Sequence, residues 1–246
     1  MSERIDCTDP ERLAEGIETA REALSRRECV VLPTDTVYGI GADAFSPQAV
    51  AVLLAAKGRG RTMPPPVLMG NADVLDGLAM DVPEAARELA REFWPGALTL
   101  IVHSQPTLTW DLGETRGTVA LRVPADEITR GLLQATGPLA VSSANRTGMP
   151  AATTVDEAQQ MLGESVAVYL DGGERSSQQP STIVDCTVEP FRVVREGAIP
   201  EETLRALVPE AFEADTVDAP DAESAEAADA AEDAESAPQS GERSTP

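Results

Sequence analysis

The stretch DPERLAEGIETAREALSRRECVVLP, residues 9–33, holds two periodicities in succession. Thr8 or Asp9 can cap a helix that opens at Pro10, where Leu13, Ile17, Ala20 and Leu24 return at helical spacing to make one apolar stripe. The helix runs out near Arg27. Cys29-Val30-Val31-Leu32 is then a continuous apolar run closed by Pro33, the pattern of a buried strand that delivers the polar residues after it to its carboxyl end. A helix followed by a buried strand predicts an α/β domain.

Outward from this stretch the alternation continues. Ser46-Pro47 opens a second helix to about Ala56. Strand-like segments follow at Pro66–Met69, Ala97–His103, Thr118–Val123 and Leu139–Ser142, with helices at Ala72–Ala79, Pro83–Phe93 and Ala125–Thr136. Thr154-Val-Asp-Glu157 is a capping box opening a helix to about Leu162, and strand-like Val166–Leu170, Thr182–Asp185 and Arg192–Val194 come next. Pro200 starts a last short helix. Several strands succeed one another after Gly163 without a helix between them, so the expected sheet is mixed and twisted, with flanking helices, over residues 1–209.

Of 246 residues 42% are apolar, enough for a substantial core, and the formal net charge is −23. Twelve acidic residues and one basic, Arg243, lie between Glu210 and Pro246, so that segment carries −11 and the remainder −12. With almost no large apolar groups, residues 210–246 cannot offset the entropy of ordering and are expected to be a disordered acidic tail. No apolar run is long enough to span a bilayer and the first twenty residues lack the pattern of a secretory signal, which predicts a cytoplasmic protein with no membrane contact. Cys7, Cys29 and Cys186 are scattered without CxxC spacing and are expected reduced and buried. His103 is the single histidine and reads as structural, which argues against a zinc cluster or a serine-histidine triad; no metal ligand is assigned.

Eighteen arginines accompany one lysine, Lys57. An ammonium is compact where a guanidinium is broad and planar, so a site crowded by a small anion would exclude arginine. Lys57-Gly58-Arg59-Gly60-Arg61 places three cations among glycines that allow close backbone approach, an anion site in form. It is equally the usual cationic end of a helix. Ser142-Ser143-Ala144-Asn145-Arg146-Thr147-Gly148 sets hydroxyls and an amide just after a strand, where open sheets bind ligands, and is otherwise a polar turn. Gly39-Ile-Gly41-Ala-Asp-Ala44 imitates a dinucleotide fingerprint, but no helix starts there and no acidic residue stands about twenty positions later. No P-loop occurs, so bound phosphates need another arrangement. Phe93-Trp-Pro-Gly96 reads as a packing and turn element.

Together with Pro33-Thr-Asp-Thr-Val-Tyr-Gly39, the Lys57-x-Arg59 pair with Ser143-x-Asn145, Thr118-Val-Ala-Leu-Arg-Val-Pro124, Asp171-Gly-Gly173 and Ser181-Thr-Ile-Val-Asp185, these motifs resemble the YrdC/Sua5 family of L-threonylcarbamoyladenylate synthases over residues 10–208. The resemblance implies a concave basic groove in a YrdC-like fold and a nucleotidyltransferase reaction. L-threonine, bicarbonate or carbon dioxide, and ATP accompanied by Mg2+ would give threonylcarbamoyladenylate and pyrophosphate, the activated intermediate for t6A modification of tRNA at position 37. It places threonine against Thr36, Arg122 and Ser181 with main-chain contact near Val141, and the nucleotide against Arg59, Met63, Thr118, Ser143, Asn145 and Arg195, with Ala151 a backbone contact. Lys57 and Arg59 are the expected catalytic pair, Lys57 steadying carbamate or bicarbonate oxygens and Arg59 the α-phosphate. Thr34 lies beside the pocket.

Thr62-Met63-Pro64-Pro65-Pro66-Val67-Leu68 departs from the family's usual Asp-Asn-Pro-Leu-Ile-Val-His, and Gln179-Pro180 replaces a usual Glu before Ser181. With only the acidic tail after the domain, the chain resembles the family's short form, which hands its product to separate t6A transfer proteins and meets tRNA only through them. Two other functions fit the same residues: an RNA-binding module using the groove, and an interaction protein that has lost catalysis.

Overall fold

Where three successive apolar residues occupy an extended segment, side chains that alternate in direction must find a core on each face. Val30 and Leu32 enter a smaller apolar cluster with Ala20, Leu24, Leu132 and Leu133, while Val31 enters a larger one with Leu53, Leu89 and Ala158. The computed structural model describes residues 2–177 and 179–213. The strands are β1 (Glu3–Asp6), β2 (Val30–Leu32), β3 (Gly39–Asp43), β4 (Val67–Leu68), β5 (Ala79–Met80), β6 (Leu98–Ser104), β7 (Thr118–Arg122), β8 (Leu139–Ser143), β9 (Val168–Asp171), β10 (Thr182–Asp185) and β11 (Arg192–Arg195). The helices are α1 (Pro10–Ser25), α2 (Pro47–Lys57), α3 (Leu75–Leu78), α4 (Glu84–Phe93), α5 (Glu127–Thr136), α6 (Val155–Leu162), α7 (Glu201–Leu207) and α8 (Pro209–Phe212).

The strands form one mixed sheet in the order β1-β9-β2-β3-β8-β4-β7-β6-β10-β11, with β5 paired to β6. The expected mixed α/β architecture is therefore present. Asp9 accepts from Glu11 N at the start of α1, and the Thr154–Glu157 capping box opens α6. Helix α1 packs on β1, β9, β2 and β3 and against α5, so one face of this half of the sheet is covered. Along β6 and β7 the faces alternate: Leu98, Leu100, Val102, Val119 and Leu121 enter the larger core, and Thr99, Ile101, Thr118, Ala120 and Arg122 line a cleft on the other face, which Val119 also reaches.

Three elements differ from the sequence reading. Gly39-Ile-Gly41 is the central strand β3, antiparallel to β2 and β8. Its glycines serve packing, since a Cβ on Gly39 would lie 2.6 Å from Val141 Cγ1. Gly39→Ala is accordingly expected to cost about 1–3 kcal/mol through overpacking, measured as a fall in the urea midpoint at unchanged slope. The helix expected over Ala72–Ala79 is a 3-10 turn, Ala72–Val74, then the single turn α3, after which Ala79 enters β5. Strand β1 gives no apolar run because Ile5 alone among its residues is buried.

The expected boundary at residue 209 also moves. Helix α8 belongs to the domain, with Phe212 buried and edge-on to Phe191 at 5.9 Å. The rest of the expected acidic tail, 214–246, lies outside the described residues. Among the described residues no helix is long and apolar enough to cross a membrane, and no group of His, Cys, Asp and Glu side chains could hold a metal ion. All three cysteines are free and buried, and burial pushes the thiols of Cys7 and Cys29 up to about 11 and about 12. His103 is exposed near the end of β6.

Candidate functional site

The cleft, about 810 Å3, opens where the sheet face beyond α1 and α5 carries polar side chains. Its floor is built from strand ends. Immediately after β2, Thr34 Oγ1 donates to Val37 O at 2.6 Å and accepts from Thr36 N at 3.1 Å, closing a tight turn that sets Thr36 into the cleft wall. Arg122, the last residue of β7, is buried. Its Nε donates to Gly96 O (2.8 Å), Nη1 to Thr36 Oγ1 (3.1 Å) and Nη2 to Asp35 Oδ1 (2.7 Å). Asp35 also accepts from Ala125 N at 2.9 Å. The Phe93-Trp-Pro-Gly96 turn thus supplies an acceptor to the site as well as packing, with Trp94 Nε1 donating to Leu98 O.

Two further guanidiniums face the same space with neutral partners. Arg195, ending β11, donates through Nε and Nη2 to Ser181 O (3.0 and 2.7 Å) and through Nη2 to Ser181 Oγ (3.0 Å). Arg59 donates from Nη1 to Ser142 Oγ at 2.9 Å, and its buried Nε has no hydrogen-bond partner among the described residues. Burial lowers the pKa of Arg122, Arg195 and Arg59; at Arg195 the charges of Arg122 and Arg59 add to the effect, and at Arg122 the Asp35 carboxylate opposes it. Among the described residues, only Arg122 of these three guanidiniums is paired with a carboxylate, in a partly desolvated cleft.

The chain matches the family model described as "Telomere recombination", which covers Sua5, YciO and YrdC, over residues 22–197. It belongs to the Sua5/YciO/YrdC family. A putative threonylcarbamoyl-AMP synthase of Mycobacterium leprae is 54% identical over 199 residues, spanning 81% of this chain and 90% of that protein. Among solved structures, P. abyssi Sua5 complexed with L-threonine superposes with a TM-score of 0.76 at 31% identity, covering 85% of this chain and 61% of that one. E. coli YciO gives a TM-score of 0.70 at 25% identity over 81% of this chain and 98% of its own.

Against this Sua5/YciO/YrdC frame, the structure brings Thr36, Arg59, Met63, Thr118, Arg122, Val141, Ser143, Asn145, Ala151, Ser181 and Arg195 to the cleft lining, but not Lys57. Lys57 ends α2 beneath the loop after β8, 2% exposed. Its ammonium donates to Asn145 O at 2.7 Å and to Ser143 O, with Asn145 Oδ1 at 3.4 Å. The ammonium is thus turned to this loop and not to the cleft, where a direct contact with carbamate or bicarbonate was expected. Burial, then the charge of Arg59, pushes its pKa down to about 8.

Other expected contacts are narrowed by bonds already made. Asn145 Nδ2 is spent on Arg146 O and Met149 O (3.0 and 2.6 Å), Thr118 Oγ1 donates to Thr115 O (2.8 Å), and Val141 N donates to Pro66 O (2.8 Å). Met63 is an exposed apolar residue on the rim, as is Met149. Leu68 and Pro180 both line the cleft. Asp35 and Thr99 are not among the site residues the sequence suggests, whereas Ser142 opens the candidate Ser142–Gly148 stretch. Asp35 stood inside the quoted Pro33–Gly39 motif, and Thr99 was marked by one signal: a hydroxyl between Leu98 and Leu100 in an otherwise apolar strand.

Proposed function

We propose that the chain is a threonylcarbamoyl-AMP synthase, and that this cleft joins L-threonine, bicarbonate or carbon dioxide, and ATP, releasing pyrophosphate. The observation that carries this reading is the convergence of Arg59, Arg122 and Arg195 on one cleft, where among the described residues the one paired carboxylate is Asp35, on Arg122. That leaves an excess of two positive charges in a protein of net charge −23. Anionic reactants supply the missing partners: a carboxylate, a carbamate and a phosphate chain.

In the reaction the threonine amine attacks carbon dioxide and loses a proton to give a carbamate; where bicarbonate is the source, water leaves. A carbamate oxygen then attacks the α-phosphorus, and the bond to the pyrophosphate leaving group breaks. The protein's task is positioning and charge stabilisation without a covalent enzyme intermediate. Arg59, with an unpartnered Nε and most of its donors free, meets the α-phosphate region, and Arg195 the phosphate chain. Arg122 stands at the threonine end beside Thr36. Magnesium enters as part of the ATP substrate, because among the described residues no carboxylate lines the cleft and Asp35, the one nearby, already binds Arg122 and Ala125 N. Among the described residues the cleft offers too few dispersed cations for tracking an RNA backbone. Transfer to tRNA falls to separate proteins of the t6A pathway.

Pyrophosphate release from ATP is expected only when L-threonine and bicarbonate are both present. Release indifferent to the omission of either would overturn the reading.

A further inference from the structure

Two hydroxyl pairs line the cleft, and counting their protons gives each a direction. Thr34 Oγ1 has one proton, and its 2.6 Å bond to the carbonyl of Val37 consumes it. The 3.0 Å contact between Thr34 Oγ1 and Thr36 Oγ1 therefore carries the proton of Thr36, donated to Thr34. Thr34 Oγ1, which also accepts from Thr36 N, is then saturated. Thr36 Oγ1 accepts from Arg122 Nη1 and retains a single lone pair. Thr36 can only accept from a ligand.

The second pair runs the other way. Thr99 Oγ1 is 1% exposed and has one partner among the described residues, Ser181 Oγ at 2.8 Å. Were Ser181 the donor, the proton of Thr99 would be buried without an acceptor, an arrangement native interiors avoid. Thr99 is therefore the donor. Ser181 Oγ also accepts from Arg195 Nη2 at 3.0 Å, so both its lone pairs are used and its own proton is left for the cleft. Ser181 can only donate to a ligand.

We infer that Thr34 and Thr99 are positioning residues that fix the two cleft hydroxyls in opposite senses, Thr36 as acceptor and Ser181 as donor, and so dictate which end of an α-amino acid faces each. The amine N–H goes to Thr36 and a carboxylate oxygen to Ser181. This rests on the reading of the cleft as an amino-acid site. An amine held through one N–H keeps its nitrogen lone pair for carbon dioxide, which is the orientation carbamate formation needs. Neither Thr34 nor Thr99 touches the reacting atoms; each acts through its neighbour.

Neutron diffraction from crystals of the deuterium-exchanged protein tests the polarity without reference to activity. The expected deuterons lie on the Thr34–Val37 O, Thr36–Thr34 and Thr99–Ser181 lines, with the Ser181 deuteron turned to the cleft; a deuteron on Ser181 pointing at Thr99 overturns the inference. In solution, Thr99→Val is expected to raise KM for L-threonine about tenfold with little change in kcat, and Thr99→Ser to restore it. Equal effects of Thr99→Val and Thr99→Ser, or an unmoved KM, would reduce Thr99 to packing. Competition by 3-hydroxybutanoate, which is L-threonine without its amine, separates the two ends. Thr36→Val is expected to weaken L-threonine and leave 3-hydroxybutanoate unchanged, whereas Ser181→Ala weakens both; equal losses of both ligands in Thr36→Val would overturn the assigned orientation. If the wild-type protein binds no L-threonine while the neutron map holds, the functional reading fails and the polarity stands.

Discussion

Arg59→Ala is expected to lower kcat/KM for pyrophosphate release about 10²–10³-fold while leaving the urea midpoint close to that of the wild type. Arg59 is the cleanest of the three cleft arginines to remove. It is half-buried, its one recorded hydrogen bond goes to the hydroxyl of Ser142, and its Nε has no partner among the described residues. Truncation therefore strands no buried charge. Arg122→Ala would leave Asp35 without its counter-charge and Thr36 Oγ1 and Gly96 O without a donor, so lost activity there would mix chemistry with damage. Arg195→Ala would likewise free Ser181. Arg59→Lys retains the charge and loses the planar set of donors, so it is expected to recover only part of the rate. Wild-type turnover in Arg59→Ala would remove the phosphate role from Arg59 and, with it, the main electrostatic argument for the site.

How far the sequence discloses this site depends on the kind of signal. Buried strands such as Val30–Leu32 and helices with capping residues announce themselves, because burial on two faces and an orphaned helix terminus each demand particular residue types. β3 was hidden: a strand that lets Leu32 and Val141 pack against its backbone must be glycine-rich, and glycine is a poor strand marker. The cleft arginines were legible as cations, and only the family resemblance grouped them, since Arg59 follows α2, Arg122 ends β7 and Arg195 ends β11 and the three meet only in the folded sheet. Asp35 was invisible for the same reason: its role appears only once Arg122, 87 positions away, arrives beside it. The rarity of Lys57 marks it in the sequence, but its spacing from Arg59 does not disclose that Lys57 turns under the loop after β8 while Arg59 turns into the cleft.

Lys57→Met is expected to cost about 2–6 kcal/mol of stability, because it leaves the carbonyls of Ser143 and Asn145 buried without their donor at about 1–3 kcal/mol each. Turnover should fall with it, since the loop so held follows Ser142, the partner of Arg59. Lys57→Arg keeps the charge and is still expected to destabilise, by about 1–3 kcal/mol, since the larger head must enter a pocket closed around an ammonium. This explains the lone lysine among eighteen arginines by the size of a hole and not by the size of a ligand. The titration provides an independent check. Burial depresses the folded-state pKa from its ordinary 10.5 to about 8, so between those two values the unfolded chain binds more protons than the folded one. Stability contributed by this residue rises with pH across that window, is complete above 10.5, and is lost as pH falls through about 8. Methionine does not titrate. The stability gap between wild type and Lys57→Met, measured by urea unfolding, should therefore widen from about pH 8 to 10.5 and stay flat below it; a gap that narrows as pH rises would mean that the carbonyls stabilise the ammonium by more than burial opposes it.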